Sequence, residues 1–186
     1  MIVVIGGKAG AGKSTIAKQL ANKLDLKHYS MGDLQRQIAE KRGITLLELG
    51  ELEEKDPKID KELDQKQTQL GENQDNFIID GRLSVFFIPN ADFKIFLEAD
   101  DSTRAQRILN DKRSEEKATN IQEIINNIRK REESEGTRFK KYYNMDCYDK
   151  SKYDGVIDTT RLTVEDIVDQ IYKLIKKALE KKAKND

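Results

Sequence analysis

Gly7-Lys8-Ala9-Gly10-Ala11-Gly12-Lys13-Ser14-Thr15 decides how this chain is read. It fits the pattern G-x-x-x-x-G-K-[ST], in which glycines let the backbone curl and turn successive N–H groups inward onto phosphate oxygens. Ile2-Val3-Val4-Ile5 before it is an apolar β-branched run ended by Gly6-Gly7, the mark of a strand buried on both faces of a parallel sheet. After it, Ile16, Ala17, Leu20, Ala21 and Leu24 recur at helical spacing, so a helix from Ser14 to Leu24 follows at once. The positive end of that helix then faces the bound anion. Lys13 is placed to span the β- and γ-phosphates of ATP and the Ser14 hydroxyl to ligate Mg²⁺.

Working outward, short apolar runs at His28-Tyr29, Phe77 to Ile79, Phe93 to Leu97 and Gly155 to Ile157 alternate with helical segments. With the first strand they make five parallel strands in a three-layer α/β/α P-loop fold. Thr163 with Asp166 forms a capping box for the last helix, whose stripe is Val164, Ile167, Val168, Ile171, Ile175 and Leu179. Two polar stretches interrupt the alternation. Residues 33 to 73 read as helices separated by Gly43 and Pro57, and residues 110 to 153 hold a helix around Ile121, Ile124, Ile125 and Ile128. Such excursions are expected to cover the carboxyl edge of the sheet, where ligands bind in open α/β folds.

Composition narrows the classes of function. The chain has 186 residues, enough for one domain with a core that needs no staples. Its 34 lysines and arginines equal its 34 aspartates and glutamates, so no bulk field holds nucleic acid and no stable nucleic-acid partner is expected. The single Cys147 cannot form an internal disulfide, and the first apolar run is too short for a leader or a membrane span. A cytoplasmic monomer is the default expectation.

A phosphate loop leaves the acceptor open. Asp80-Gly81-Arg82 ends the strand Phe77 to Ile79 and sets a carboxylate and a guanidinium beside the cradle. Asp80 is suited to hold Mg²⁺ through water, and Arg82, a planar fork, to grip two oxygens of an acceptor phosphate. A second arginine, Arg36, follows in Ser30-Met31-Gly32-Asp33-Leu34-Gln35-Arg36. Two forks facing one cradle imply a second phosphorylated ligand.

The order of these motifs resembles the adenylate-kinase-like nucleoside monophosphate kinases, and within them the short cytidylate kinases of archaeal type. Asp56-Pro57-Lys58-Ile59-Asp60 with Asp64 and Gln67, Arg131-Glu132-Glu133-Ser134-Glu135 with Arg138-Phe139, and Tyr153-Asp154 with Asp158-Thr159-Thr160 extend the likeness over nearly the whole chain. The resemblance implies transfer of the γ-phosphoryl of ATP to CMP or dCMP. It also implies a core of residues 1–32, 74–110 and 154–186, a nucleotide-monophosphate flap at 33–73 that includes Asp33, and a lid at 111–153. Arg131 and Arg138 are the lid arginines expected to close on the transferring group. Asp60, Asp64 and Gln67 stand at i, i+4 and i+7 on one helical face, where a carboxylate and an amide could read the amino and ring-nitrogen groups of cytosine.

The chain departs from the family in Lys8, where proline is usual, and in Asp80, where glutamate is common. Asn110-Asp111-Lys112 precede Arg113 where an arginine is expected sooner, and Gly136 loosens the segment between Arg131 and Arg138. Arg104 and Arg107, three apart, either flank the ATP or make a solvated face. His28 is expected to end the second strand, and Tyr142-Tyr143 either to stack on a base or to pack under the lid. Rival readings are a kinase for AMP, shikimate or a coenzyme precursor, and a nucleotide-switched factor that binds RNA.

Overall fold

The computed structural model describes residues 1–111, 118 and 120–182, with the side chains of the last two left aside. Its strands are β1 (Ile2–Gly7), β2 (Lys27–Ser30), β3 (Phe77–Asp80), β4 (Phe93–Glu98) and β5 (Gly155–Asp158). They form one parallel sheet in the order β2-β3-β1-β4-β5, with Ile2 opposite Phe77 and Val3 opposite Phe93. Alternation along β1 sorts the core into two layers. Val3 and Ile5 face α1 (Lys13–Leu24) and α8 (Val164–Lys182), whose Ile16, Leu20, Ile167 and Ile171 are buried against them. Ile2 and Val4 face the other way, onto Met31, Val85 and Ile88. Each such aliphatic side chain, once buried, contributes about 1.5–3 kcal/mol. Thr163 caps α8 as expected: its Oγ1 accepts from Asp166 N at 3.1 Å, and Asp166 Oδ2 accepts from Thr163 N at 3.2 Å.

The first insert is α2 (Met31–Arg42), α3 (Leu46–Lys55) and α4 (Lys58–Asn73), broken at Gly43 and before Pro57's helix as the sequence predicts. Ala39, Leu46 and Leu49 give it a small core of its own. A short α5 (Ser84–Phe87) follows β3, and α6 (Asp101–Asn110) follows β4. The second insert is dominated by α7 (Ile121–Tyr143), 23 residues long, which packs Ile124 and Ile128 on Ala105 and Ile108 of α6. Gly136 lies inside α7 without breaking it, because the flanking turns keep the ladder intact. Arg113 and most of the link between α6 and α7 lie outside the described residues. No helix among the described residues is long and apolar enough to cross a membrane.

Candidate active site

The cradle sits between β1 and α1, and its carbonyls are tied from outside. Lys13 Nζ donates to Lys8 O at 2.8 Å, Arg104 Nη1 to Ala9 O at 3.1 Å, and Thr159 Oγ1 lies 3.1 Å from Ala11 O. With the carbonyls held, the loop is committed to presenting N–H groups. Gly12 caps α1 in a left-handed conformation (φ 90°) with no side-chain cap, so the first amides of α1 stay open to an anion. At Gly10 (φ 75°) a Cβ would stand 2.7 Å from Arg104 O, so no larger residue fits beneath the loop. Burial, reinforced by Arg82, pulls the Lys13 ammonium well below its ordinary pKa. A bound phosphate would offset that loss of hydration with opposite charge.

At the carboxyl ends of β2 and β3, polar groups converge on Asp80. Ser14 Oγ lies 3.3 and 3.4 Å from its two oxygens, Ser30 Oγ donates to Oδ2 at 3.1 Å, and His28 Nε2 is 2.7 Å from Oδ1. This hydroxyl and carboxylate set beside the cradle suits a hard, oxygen-seeking cation such as Mg²⁺. Arg82, one residue past Gly81, donates from Nε to Glu135 Oε2 at 2.6 Å, and Tyr148 donates to the same oxygen at 2.7 Å. Burial alone would raise the Glu135 carboxyl, but Arg82 and Arg131 outweigh it and bring it to about 2.

Cradle and first insert open on one cleft of about 310 Å³. Gly10, Lys13, Ser14, Asp80, Arg82 and Arg131 line it, with Arg107 and Val164 and with Arg36, Asp60, Asp64 and Gln67 of the first insert. A chain with this cradle, this sheet and this cleft can be set beside known proteins. Residues 2–161 match the family described as cytidylate kinase-like. The chain belongs to the cytidylate kinase-like family. It is 39% identical to the cytidylate kinase of Natronomonas pharaonis over 168 residues, 90% of this chain and 85% of that one. It is 37% identical to the cytidylate kinase of Methanosphaera stadtmanae, over 98% of this chain and 99% of that one. Among solved structures, shikimate kinase from Bacteroides thetaiotaomicron shares the fold, with a TM-score of 0.64 at 15% identity over 95% of this chain and 98% of that one.

Within this cytidylate kinase-like chain the sequence-predicted residues fall into two groups. Lys13, Ser14, Thr15, Arg36, Asp60, Asp64, Gln67, Asp80, Arg82 and Arg131 share the cleft, together with Ala9, Gly10 and Gly12, whereas Gly7 and Ala11 are buried behind it and Lys8 stands outside it. Two more of the predicted residues stand outside the cleft. Arg138 does not face the cleft; it is buried between the inserts, with Glu53 Oε2 at 2.9 Å and Asp60 Oδ2 at 2.7 Å, because two carboxylates compete for it there. Asp33 is half exposed outside the cleft, ion-paired to Arg36, so it acts on the site only through that arginine. Asp60 lines the cleft, but its carboxylate is committed to Arg138.

Other residues settle into roles the sequence left open. Arg104 is fully buried, paired with Asp101 and Glu132 as well as Ala9 O, and is neither a solvated face nor a flank of the cleft. Arg107 lines the cleft and donates to Thr159 O at 2.7 Å. Tyr142 pins its hydroxyl to Glu54 O at 2.7 Å, and Tyr143 packs edge-on against Phe87. Cys147 is buried, its thiol pushed up to about 12 mainly by that burial. Missed from sequence were Glu132, Glu135 and Glu53, the acidic partners of the arginines, and the bond from His28 to Asp80. The spacing of Glu132, Glu135 and Arg138 on one side of a helix was the signal available for them.

Proposed function

We propose that this chain transfers the γ-phosphoryl group of ATP to the phosphate of CMP or dCMP, releasing ADP and the corresponding diphosphate. The observation that carries the reading is the single cleft that joins the cradle to a buried carboxylate and amide, with Arg36, Arg82 and Arg131 along it. Such a cleft suits in-line transfer between two bound phosphates, which needs positioning and charge neutralisation rather than covalent help. The family membership supports the same acceptor.

In this reading the loop Gly7 to Thr15 holds the ATP phosphates and Lys13 follows the charge onto the transferring group. Ser14 would hold Mg²⁺ directly and Asp80 through water, and the ion would supply positive charge to offset that of the phosphates. Arg36 and Arg82 grip the acceptor phosphate, which is already an anionic nucleophile, so no general base is assigned. Arg131 supplies the lid charge, and Arg138 is reassigned to holding the flap against α7. Residues 33–73 serve as the acceptor flap and 111–153 as the lid, which together keep water from the γ-phosphate. Asp64 and Gln67 read the base. A cytoplasmic monomer completes the reading and is tested by sizing the purified chain.

The deciding measurement is ADP formation by the purified chain with ATP and, in turn, CMP, dCMP, UMP, AMP, shikimate and RNA. CMP or dCMP should give the highest kcat/KM. A higher value with AMP or shikimate, or stimulation by RNA alone, would replace this reading.

A further inference from the structure

Ser84 opens α5 and is completely buried. Its hydroxyl donates to Gln67 Oε1 at 2.6 Å, and Gln67 Nε2 donates in turn to Asp64 Oδ1 at 3.0 Å. While Asp64 is ionised, this relay has a fixed direction. An ionised carboxylate only accepts, so Gln67 must turn its NH₂ edge toward Asp64; its carbonyl then faces Ser84, which must donate. Gly81 makes the room: a Cβ there would stand 2.3 Å from Ser84 Oγ and 3.3 Å from Gln67 Oε1. Asp64 and Gln67 are both more than nine-tenths buried and both line the cleft. Asp64 Oδ2 is buried beside the Tyr143 hydroxyl, a donor that faces the same carboxylate, and it keeps lone-pair capacity for a second donor from the cleft.

Resting on the reading that the cleft takes a pyrimidine monophosphate, we propose that Ser84 is a specificity-determining positioning residue. By locking the Gln67 amide it makes the pocket offer a carboxylate acceptor beside an amide donor. That pair complements a base edge with an exocyclic amine beside an unprotonated ring nitrogen. A base with a carbonyl beside a ring N–H meets both groups the wrong way round. Asp64 sets which way the amide faces, and Ser84, bonded to its carbonyl, holds the other end; without that hydroxyl the amide is held at one end only and can swing its carbonyl toward the ring N–H, so rejection of the second base is sharpened by a hydroxyl that touches neither base.

The test compares kcat/KM for CMP, dCMP and UMP in the parent, Ser84→Ala and Ser84→Cys, with the KM for ATP and the Tm of each. In Ser84→Ala, CMP and dCMP should fall together by about tenfold while UMP holds or rises, and the ATP KM should stay within about twofold. Ser84→Cys keeps the size but donates weakly, so it should narrow the ratio by an intermediate factor and decides the matter if the alanine variant does not fold. Equal losses on CMP and UMP, or an unchanged ratio, in a background that prefers CMP would overturn the role of Ser84 alone. A parent inactive on every pyrimidine nucleotide would overturn the underlying reading, and the role of Ser84 with it.

Discussion

The phosphate cradle and the acceptor pocket meet in one cleft but are made of different material. The cradle is nine consecutive residues whose carbonyls are tied outward by Lys13, Arg104 and Thr159, leaving main-chain N–H groups to face the ligand. The pocket proposed for the acceptor is assembled from α2, α4, α7 and the turn after β3, and it is lined by carboxylates, an amide and guanidinium groups. An acidic group, Glu53, Asp60 and Asp64, lies at its edge and behind it. Burial raises Glu53 and Asp64 to about 7 and Asp60 to about 6, against the opposing pull of Arg138. A site built from backbone is indifferent to pH near neutrality and intolerant of added atoms. A site built from buried side chains responds to protonation and to changes that keep size but alter donors.

The largest effect is expected where the cradle depends on a side chain. Lys13→Ala should lower kcat on the order of a hundredfold or more while moving the KM for ATP much less, because the ammonium acts most on charge that grows during transfer. Turnover within about threefold of the parent would remove Lys13 from the reaction. On the acceptor side, Arg36→Lys and Arg82→Lys should each raise the KM for CMP by about tenfold with little change for ATP, since the charge stays and the fork is lost. The two should differ in stability. Arg82→Lys weakens a buried pair with Glu135 and should lower Tm, whereas Arg36 sits nearer solvent and its variant should melt close to the parent. Equal KM shifts for both substrates would erase the distinction between the two regions.

A smaller effect is expected for Asp64→Asn, which should narrow the preference for CMP over UMP several-fold, because an amide can turn to donate to uracil. An unchanged ratio would mean that Asp64 does not read the base.

The smallest effect concerns pH. The folded-state pKa values of Glu53, Asp60 and Asp64 lie above their unfolded values, so the folded protein holds protons that the unfolded chain releases. The stability from this is fully present below about pH 4 and is lost as pH rises through 6 to 7. Glu135 has the opposite sign: its contribution is present above about pH 4.5 and is lost as pH falls toward 2. Lys13, whose pKa is lowered on folding, also has the opposite sign, so in a Lys13→Ala background Tm should rise on acidification between pH 8 and 5, by roughly 2–4 °C per kcal/mol, and less steeply when Asp64→Asn is added. A Tm that is flat or falls over that range would show that the acidic cluster is not strained by burial.

Legibility in the chain alone divides along the same line. All five strands, the helix after the cradle and the Thr163 cap were legible because each is written in a few adjacent residues. Arg36, Arg82, Asp64 and Gln67 were legible as candidates because short motifs flag them. The partner of a buried arginine is not written locally. Arg82 finds Glu135 53 residues away, and Arg138 finds Glu53 and Asp60 across two inserts. Composition shows only that charges balance overall, and so Arg138 reads as a cleft residue until its two acidic neighbours are seen. Ser84 and His28 were illegible for the same reason, since each matters through one bond to a residue on another element.

Helix α7 carries Glu132 to Arg104 and Lys8 under the cradle, Glu135 to Arg82, and Arg138 to the first insert, all within two turns of one rod. Its register is therefore shared by three parts of the molecule. Deleting a single residue between Glu132 and Arg138 would rotate the remainder of the helix by about 100°, enough to swing Arg138 off both carboxylates while Glu132 keeps its place. Length variation should accordingly be refused inside this stretch of the helix. A scan of one-residue deletions across 121–143, scored by Tm, should drop most sharply at 133–137.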